Sequence, residues 1–224
     1  MGSAIGQVLP LAIGVAISPI PIIAVVLMLV TPRARTNGPA FVLGWLVGLG
    51  VVGAIVLAVA DPAGGSDDGQ PSHGVSVLKL VLGVLLLGGA LREWRGRPRG
   101  DDDPPMPKWM GALDGFGPAK AAGAGVLLSG LNPKNLVLAV AAGAAIADAG
   151  LSTGQEVVAY AVFAVIGTLG VGAPVAIYFA MGARSREILE SLKTWMGHNN
   201  AAIMATLLLI IGAKLIGDGI SGLA

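Results

Sequence analysis

Ala121-Ala-Gly-Ala-Gly-Val-Leu-Leu-Ser-Gly-Leu-Asn-Pro-Lys-Asn-Leu-Val-Leu-Ala-Val-Ala-Ala-Gly-Ala-Ala-Ile-Ala147 is the stretch that decides the fold. It is apolar for long enough to cross a hydrocarbon layer of roughly 30 Å as a helix, which takes about 20 residues. Its one charge, Lys134, sits near the middle, directly after a proline. A proline inside a helix removes a backbone donor and clashes with the preceding turn, so the run predicts a membrane span that breaks at Asn132-Pro133.

The rest of the chain has the same texture. Of its 224 residues 54% are hydrophobic and 12% charged, where a soluble domain carries roughly 25% charged residues. Five further apolar runs stand out: Val8 to Val30, Pro39 to Ala60, Val75 to Leu91, Val157 to Ala183 and Asn200 to Gly217. The composition therefore predicts an all-α, polytopic membrane protein with six transmembrane helices. No Lys, Arg, Asp or Glu precedes Arg33, so the first run lacks the basic start of a cleaved secretory signal and is expected to stay as a helix. With no cysteine, disulfides, thiol redox chemistry and Cys-ligated metals are excluded. A net charge of +1 offers no general surface for nucleic acid.

The placement of charge is more telling than its sum. Arg33 and Arg35 follow the first run; Arg92, Arg95, Arg97, Arg99, Lys108 and Lys120 follow the third; Arg184, Arg186 and Lys193 follow the fifth. The alternate loops carry Asp61, Asp67, Asp68, Asp148, Glu156 and Asp218, and no cation. By the positive-inside bias the basic loops are cytoplasmic and both termini lie outside, as expected of a multi-pass protein of a bacterial inner membrane. Lys79 and Lys214 lie near outer span ends and are expected to snorkel to the interface. In the Arg92 to Lys120 connection, Arg95-Gly-Arg-Pro-Arg-Gly followed by Asp101-Asp-Asp-Pro-Pro reads as a linker. Met106 to Phe116, with Trp109, Met110, Leu113 and Phe116, reads as a short amphipathic segment lying at the headgroups.

The order of weak internal matches predicts a repeat. Gly14-Val-Ala-Ile-Ser18 parallels Gly125-Val-Leu-Leu-Ser129, Gly53-Ala54 parallels Gly172-Ala173, and Leu85 to Ala90 parallels Leu208 to Ala213. Residues 1–94 and 121–224 form two three-helix repeats on this reading, with residues 95–120 as the cytoplasmic linker. Three spans per half make the repeats cross the membrane in opposite senses, the inverted arrangement of many secondary transporters.

Both repeats carry their polar residues at a proline break. The first has Ser18-Pro-Ile-Pro21 and the second has Ser129-Gly-Leu-Asn-Pro-Lys-Asn135. Unwound backbone inside a bilayer is tolerated where it is buried in protein or lines a wet cavity. Ser18, Pro19, Pro21, Ser129, Asn132, Pro133, Lys134 and Asn135 are therefore the candidate substrate-binding and translocation residues. A lysine near the bilayer centre costs roughly 2.5 to 3.5 kcal/mol on insertion scales. It is expected to engage an anionic group or exchange a proton; the plainer alternative is that it caps carbonyls freed by the first break. Asp and Glu are missing from the interiors of the runs, so desolvated metal cations have no obvious oxygen ligands. His73 and His198 read as surface residues. Gly48-Leu-Gly-Val-Val-Gly53 matches a dinucleotide pattern without the strand that pattern needs, and Gly44-x-x-x-Gly48 reads as close helix packing.

Lys108-Trp-Met-Gly-Ala-Leu-Asp114 leading into Leu128-Ser-Gly-Leu-Asn-Pro-Lys-Asn-Leu136, with six spans and a Ser-Pro break in the first, resembles the GAP family of peptidoglycolipid-addressing and sulfolipid-addressing proteins, in the lysine-exporter (LysE) superfamily. The resemblance implies an actinobacterial inner-membrane protein that helps move cell-envelope glycolipids outward beside larger lipid transporters. Asn132, Pro133 and Lys134 would be its central motif, with Ser18 and Pro19 their counterpart. The acidic residues that cation-exporting relatives place in their spans are missing here, which argues against cation export.

The function expected is a secondary transporter or transport accessory for an anionic or polar-headed lipid. Its rivals are a small-solute, amino-acid-like exporter and a non-transporting scaffold for a lipid-export machine. No cofactor and no enzymatic activity are expected, because no nucleophile and base, carboxylate dyad or metal cluster can be assembled from the runs. Membrane lipids are the expected partners, with larger lipid-transport proteins and a second copy of the chain as further candidates.

Overall fold

In a computed structural model the described residues form helices joined by short links, with no strand among them. Residues 1–60, 73–97 and 115–223, with Gly111 and Leu113, are described. The helices are α1 (Gly2–Ala16), α2 (Pro19–Leu29), α3 (Ala34–Ala60), α4 (His73–Arg95), α5 (Pro118–Gly130), α6 (Pro133–Ala147), α7 (Thr153–Met181) and α8 (Ser185–Ser221), with a 3-10 turn at Gly182–Arg184 between the last two. Arg99, Lys108, Trp109, Met110, Asp61, Asp67 and Asp68, to which the sequence assigned roles, lie outside the described residues.

Ala34–Val59, His73–Arg95 and Thr153–Ser221 are long and apolar enough to cross a membrane. The bent pairs α1 with α2 and α5 with α6 raise the number to five if each is one span. On α3 the side chains of Leu43, Val47, Val51, Ile55 and Val59 are exposed. At this four-residue spacing they form one apolar stripe, a surface suited to lipid rather than water. Phe41, Trp45 and Leu49 are fully buried on the opposite side.

Without a hydrophobic drive between helices in lipid, packing depends on close backbone approach through small residues. A Cβ on Gly44 would stand 2.0 Å from the Ala122 carbonyl oxygen, and one on Gly125 would stand 2.2 Å from that of Phe41. The Gly44-x-x-x-Gly48 pair thus does pack closely, α3 against α5. Gly170 meets the Ala16 carbonyl of α1 at 1.8 Å in the same sense. Gly83 of α4 and Gly212 of α8 face one another, while Gly219 lies over Ser76 and Leu80, so these two helices run antiparallel. Gly182, at φ 55°, takes a left-handed conformation that a side chain would oppose and ends α7. The chain approaches α1 along α7 at Gly170 and meets it again along α8, where Ile211 lies against Gly14.

The charges separate to two ends. Asn37 near the start of α3 donates to the Phe116 carbonyl just before α5 at 2.9 Å. Leu29, Val30, Arg35, Gly182 and Arg186 converge around one hollow, which puts Arg33, Arg35, Lys120, Arg184 and Arg186 at one end. At the other, Lys79 of α4 meets Asp148 after α6 at 3.5 Å. Lys79 therefore does not snorkel: its side chain is 6% exposed and pairs with a carboxylate 9% exposed. The pairing partner came from the far half of the chain, and nothing local to Lys79 announces it. Lys214 is partly exposed and bonds Asp218 at 2.5 Å.

Two other boundaries differ from the sequence reading. Leu113 is fully buried and Phe116 packs on the core, so this end of the expected headgroup segment is held inside the protein by Asn37. Helix α8 begins at Ser185, well before the expected Asn200. Its polar first turns stay helical because Leu189 and Met196, seven residues apart on one face, are buried.

The packing makes a checkable contrast between glycines. Gly125→Ala should destabilise the protein by roughly 1 to 3 kcal/mol, since backbone must move to admit the methyl group. Gly50→Ala, with nothing within 4 Å of its new carbon, should be neutral or slightly stabilising. Thermal unfolding in detergent reads both, and equal midpoints for the two variants would contradict the packing described.

Candidate functional site at the meeting of the two helix breaks

Both breaks arise where proline follows a polar residue. Ser18 is extended, at φ −108° and ψ 101°, with Pro19 opening α2. Asn132 is extended, at φ −66° and ψ 120°, with Pro133 opening α6. The proline ring disfavours a helical conformation for its predecessor yet suits the first helical position, where no donor is needed. One dipeptide therefore ends one helix and starts the next. The paired helices bend by 50° at the first break and 63° at the second.

Each break strands carbonyls at the end of the preceding helix, and hydrocarbon supplies no donor. The structure supplies them from side chains. Lys134 Nζ donates to the Gly14 carbonyl at 2.6 Å and, at 3.4 Å, more weakly to that of Ile17. A cation at a helix C-terminus is also favoured by the helix dipole. Asn135 Nδ2 donates to the Leu128 carbonyl at the end of α5 at 3.0 Å, and Asn135 Oδ1 accepts from Ser18 Oγ at 3.0 Å. Asn132 Oδ1 accepts from the Lys134 backbone N–H at 3.2 Å and caps α6.

Ser18, Lys134 and Asn135 are all buried, and they join the two breaks directly. Lys134 is held away from the rim and close to the Ser-Pro bend. The capping contact weighed from the sequence is present. An ammonium has three N–H groups, and Lys134 has two acceptors among the described residues.

Ser129 stands apart. Its hydroxyl donates to the Val126 carbonyl of its own helix at 3.2 Å and packs against Gly48 of α3. Pro19 and Pro21 are buried at the start of α2 and shape the bend without polar contact. Sequence reasoning did not name the Gly14 and Ile17 carbonyls, since backbone acceptors carry no residue signature; only the proline break signals that some carbonyl nearby must be free. Tyr160, whose hydroxyl donates to the Leu49 carbonyl at 3.1 Å, was likewise unmarked.

A family model described as Sap, sulfolipid-1-addressing protein, matches residues 8–221. The match takes in both breaks and every residue of the network. The chain belongs to the sulfolipid-1-addressing protein family. No curated protein and no solved structure matches it. The Ser18, Lys134 and Asn135 network is thus the polar centre of a Sap-family chain whose remaining interior is mostly small and apolar.

The network predicts an asymmetry between two truncations. Asn135→Leu strands both the Ser18 hydroxyl and the Leu128 carbonyl, and each unsatisfied buried group costs about 1 to 3 kcal/mol. Ser18→Ala leaves one acceptor lone pair empty and should cost less. Unfolding midpoints of the two purified variants in one detergent give the order; a milder Asn135→Leu would mean the bridge is absent.

Proposed function

We propose that the chain is a six-span carrier, or the membrane accessory of one, that moves an anionic or polar-headed lipid outward across a bacterial inner membrane. The family's description supports a role in lipid addressing, and the observation that carries the mechanism is Lys134: a buried amine at the junction of two broken helices, with two carbonyl acceptors for three N–H groups.

Two bent spans, α3, α4, α7 and α8 make up the six. The inverted repeat is supported by equivalent packing: α3 lies against α5 as α7 lies against α1, and α4 crosses α8 antiparallel. With the basic end facing the cytoplasm, both termini lie outside. Broken spans put half-helix ends, with their partial charges and unpaired backbone, at the depth where substrate binds in many secondary transporters. On this reading Lys134 holds α1 through the Gly14 and Ile17 carbonyls when empty. An arriving sulfate, phosphate or carboxylate competes for the ammonium, loosens the end of α1 and lets one bundle move against the other. The chain is not an enzyme on this account.

The same capping contact gives a second reading, in which Lys134 only pins α1 and the chain assists a larger lipid transporter. Lys134→Gln separates them, because a glutamine amide still reaches toward carbonyls without the charge. The carrier reading expects this variant in proteoliposomes to lose at least roughly tenfold of anionic-lipid translocation, read by headgroup quenching, while staying monodisperse. Unchanged translocation would remove the lysine charge from the mechanism. A wild-type chain that moves no lipid alone, but accelerates a co-reconstituted transporter, would favour the accessory.

A further inference from the structure

A cavity of about 660 Å³ opens at the basic end of the molecule, between the end of α2, the start of α3 and the α7–α8 turn. Its lining mixes two chemistries. Arg35 and Arg186 line it together with the apolar or aromatic Leu29, Leu189, Tyr178 and Phe179. Neither guanidinium has an ion-pair or hydrogen-bond partner among the described residues, whereas two other basic groups do: Lys193 pairs with Glu190, and Arg97 bonds the Trp94 carbonyl at 2.8 Å. Two unpartnered arginines over one half-open space form a forked donor set suited to a tetrahedral oxyanion. The aromatic and aliphatic lining residues suit hydrocarbon, not a free ion. Phe179 is 54% exposed beside the mouth, and Trp94 and Trp195, at 50% and 57%, are exposed on helices that reach the same end. Together they resemble the aromatic belt of a membrane interface.

We infer that this cavity is a loading site for the headgroup of an anionic lipid, a sulfate or phosphate ester held by Arg35 and Arg186 with its chains along Leu29, Leu189 and Phe179. The inference rests on the carrier reading above and places its entry step. Helix α2, with 11 residues and hence about 16 Å long, runs from this cavity to the break that Lys134 holds. The two cationic stations stand at the two ends of one half-helix, so a headgroup leaving the arginines has a second cation within one helix length. Basic pockets between spans on a cytoplasmic face are suited to anionic headgroups by the same electrostatics.

The test uses the purified full-length chain, with bound lipid counted by native mass spectrometry against sulfatide, dioleoylphosphatidylglycerol, dioleoylphosphatidylcholine and sodium sulfate. Sulfatide and phosphatidylglycerol should each be retained at one per chain, roughly tenfold more tightly than phosphatidylcholine. R35Q/R186Q should lose that tenfold preference, while R92Q/R95Q, which removes two cations of the same end but outside the cavity, should keep it. Equal loss in both double variants would mean general surface charge and overturn the site, as would wild-type binding by R35Q/R186Q. Free sulfate bound as tightly as the lipids would overturn the lipid as occupant. Lys134→Gln should still load lipid. If R35Q/R186Q translocates lipid normally, the loading site fails while the carrier reading stands; if Lys134→Gln translocates normally and R35Q/R186Q fails to load, the carrier mechanism fails while the binding site stands.

Discussion

The ammonium of Lys134 on the carbonyl oxygens that end α1 is the contact on which the rest of the structure depends. A helix may break inside a bilayer only if something other than lipid bonds its freed carbonyls, because an unsatisfied polar group in hydrocarbon costs several kcal/mol. Here the second break supplies the donors for both: Lys134 and Asn135 stand in the first turn of α6, and their acceptors are Gly14 and Ile17 at the end of α1 and Leu128 at the end of α5. Ser18 closes the circuit through Asn135. The carbonyls freed by the first break depend on a donor from the second, which ties the two bent helix pairs into one centre.

Around that centre the helices are packed for close approach rather than for polar bonding. Gly44 and Gly125 bring α3 and α5 together, Gly170 brings α7 onto α1, and Gly83 with Gly212 forms the α4–α8 crossing. Small-residue contacts release little side-chain surface when helices slide, whereas the buried Lys79–Asp148 pair costs several kcal/mol if one partner is left alone. One end thus carries a buried ion pair, and the end with Arg35 and Arg186 carries an open cavity between three elements.

Much of this was legible in the sequence because membrane physics is restrictive. Apolar runs and prolines located the bends at Ser18-Pro19 and Asn132-Pro133 correctly, since a proline's effect is local and does not wait on tertiary context. That Lys134 would need a partner followed from its depth; that the partner would be the Gly14 carbonyl did not, because acceptors on the main chain look alike in any sequence. Lys79 was misread for a related reason: snorkelling is the local expectation, and Asp148, 69 residues on, overrides it. Ser129 shared a repeat match with Ser18 but turned to its own helix and to Gly48, where packing of α3 left its hydroxyl no route to the centre. The polar start of α8 read as a loop, and became helix through two buried side chains, Leu189 and Met196.

The joining of the two breaks can be read directly, because the chain has no cysteine of its own. Ser18→Cys with Asn135→Cys, in a chain given a protease site between Arg99 and Pro105, places one thiol on each bend where the side chains now meet at 3.0 Å. Oxidised in native membranes and then cleaved, the two fragments should migrate as one band without reductant and separate when reductant is added. Fragments that part without reductant, when each single variant is present in the membrane at the wild-type level, would contradict a centre made by two meeting breaks.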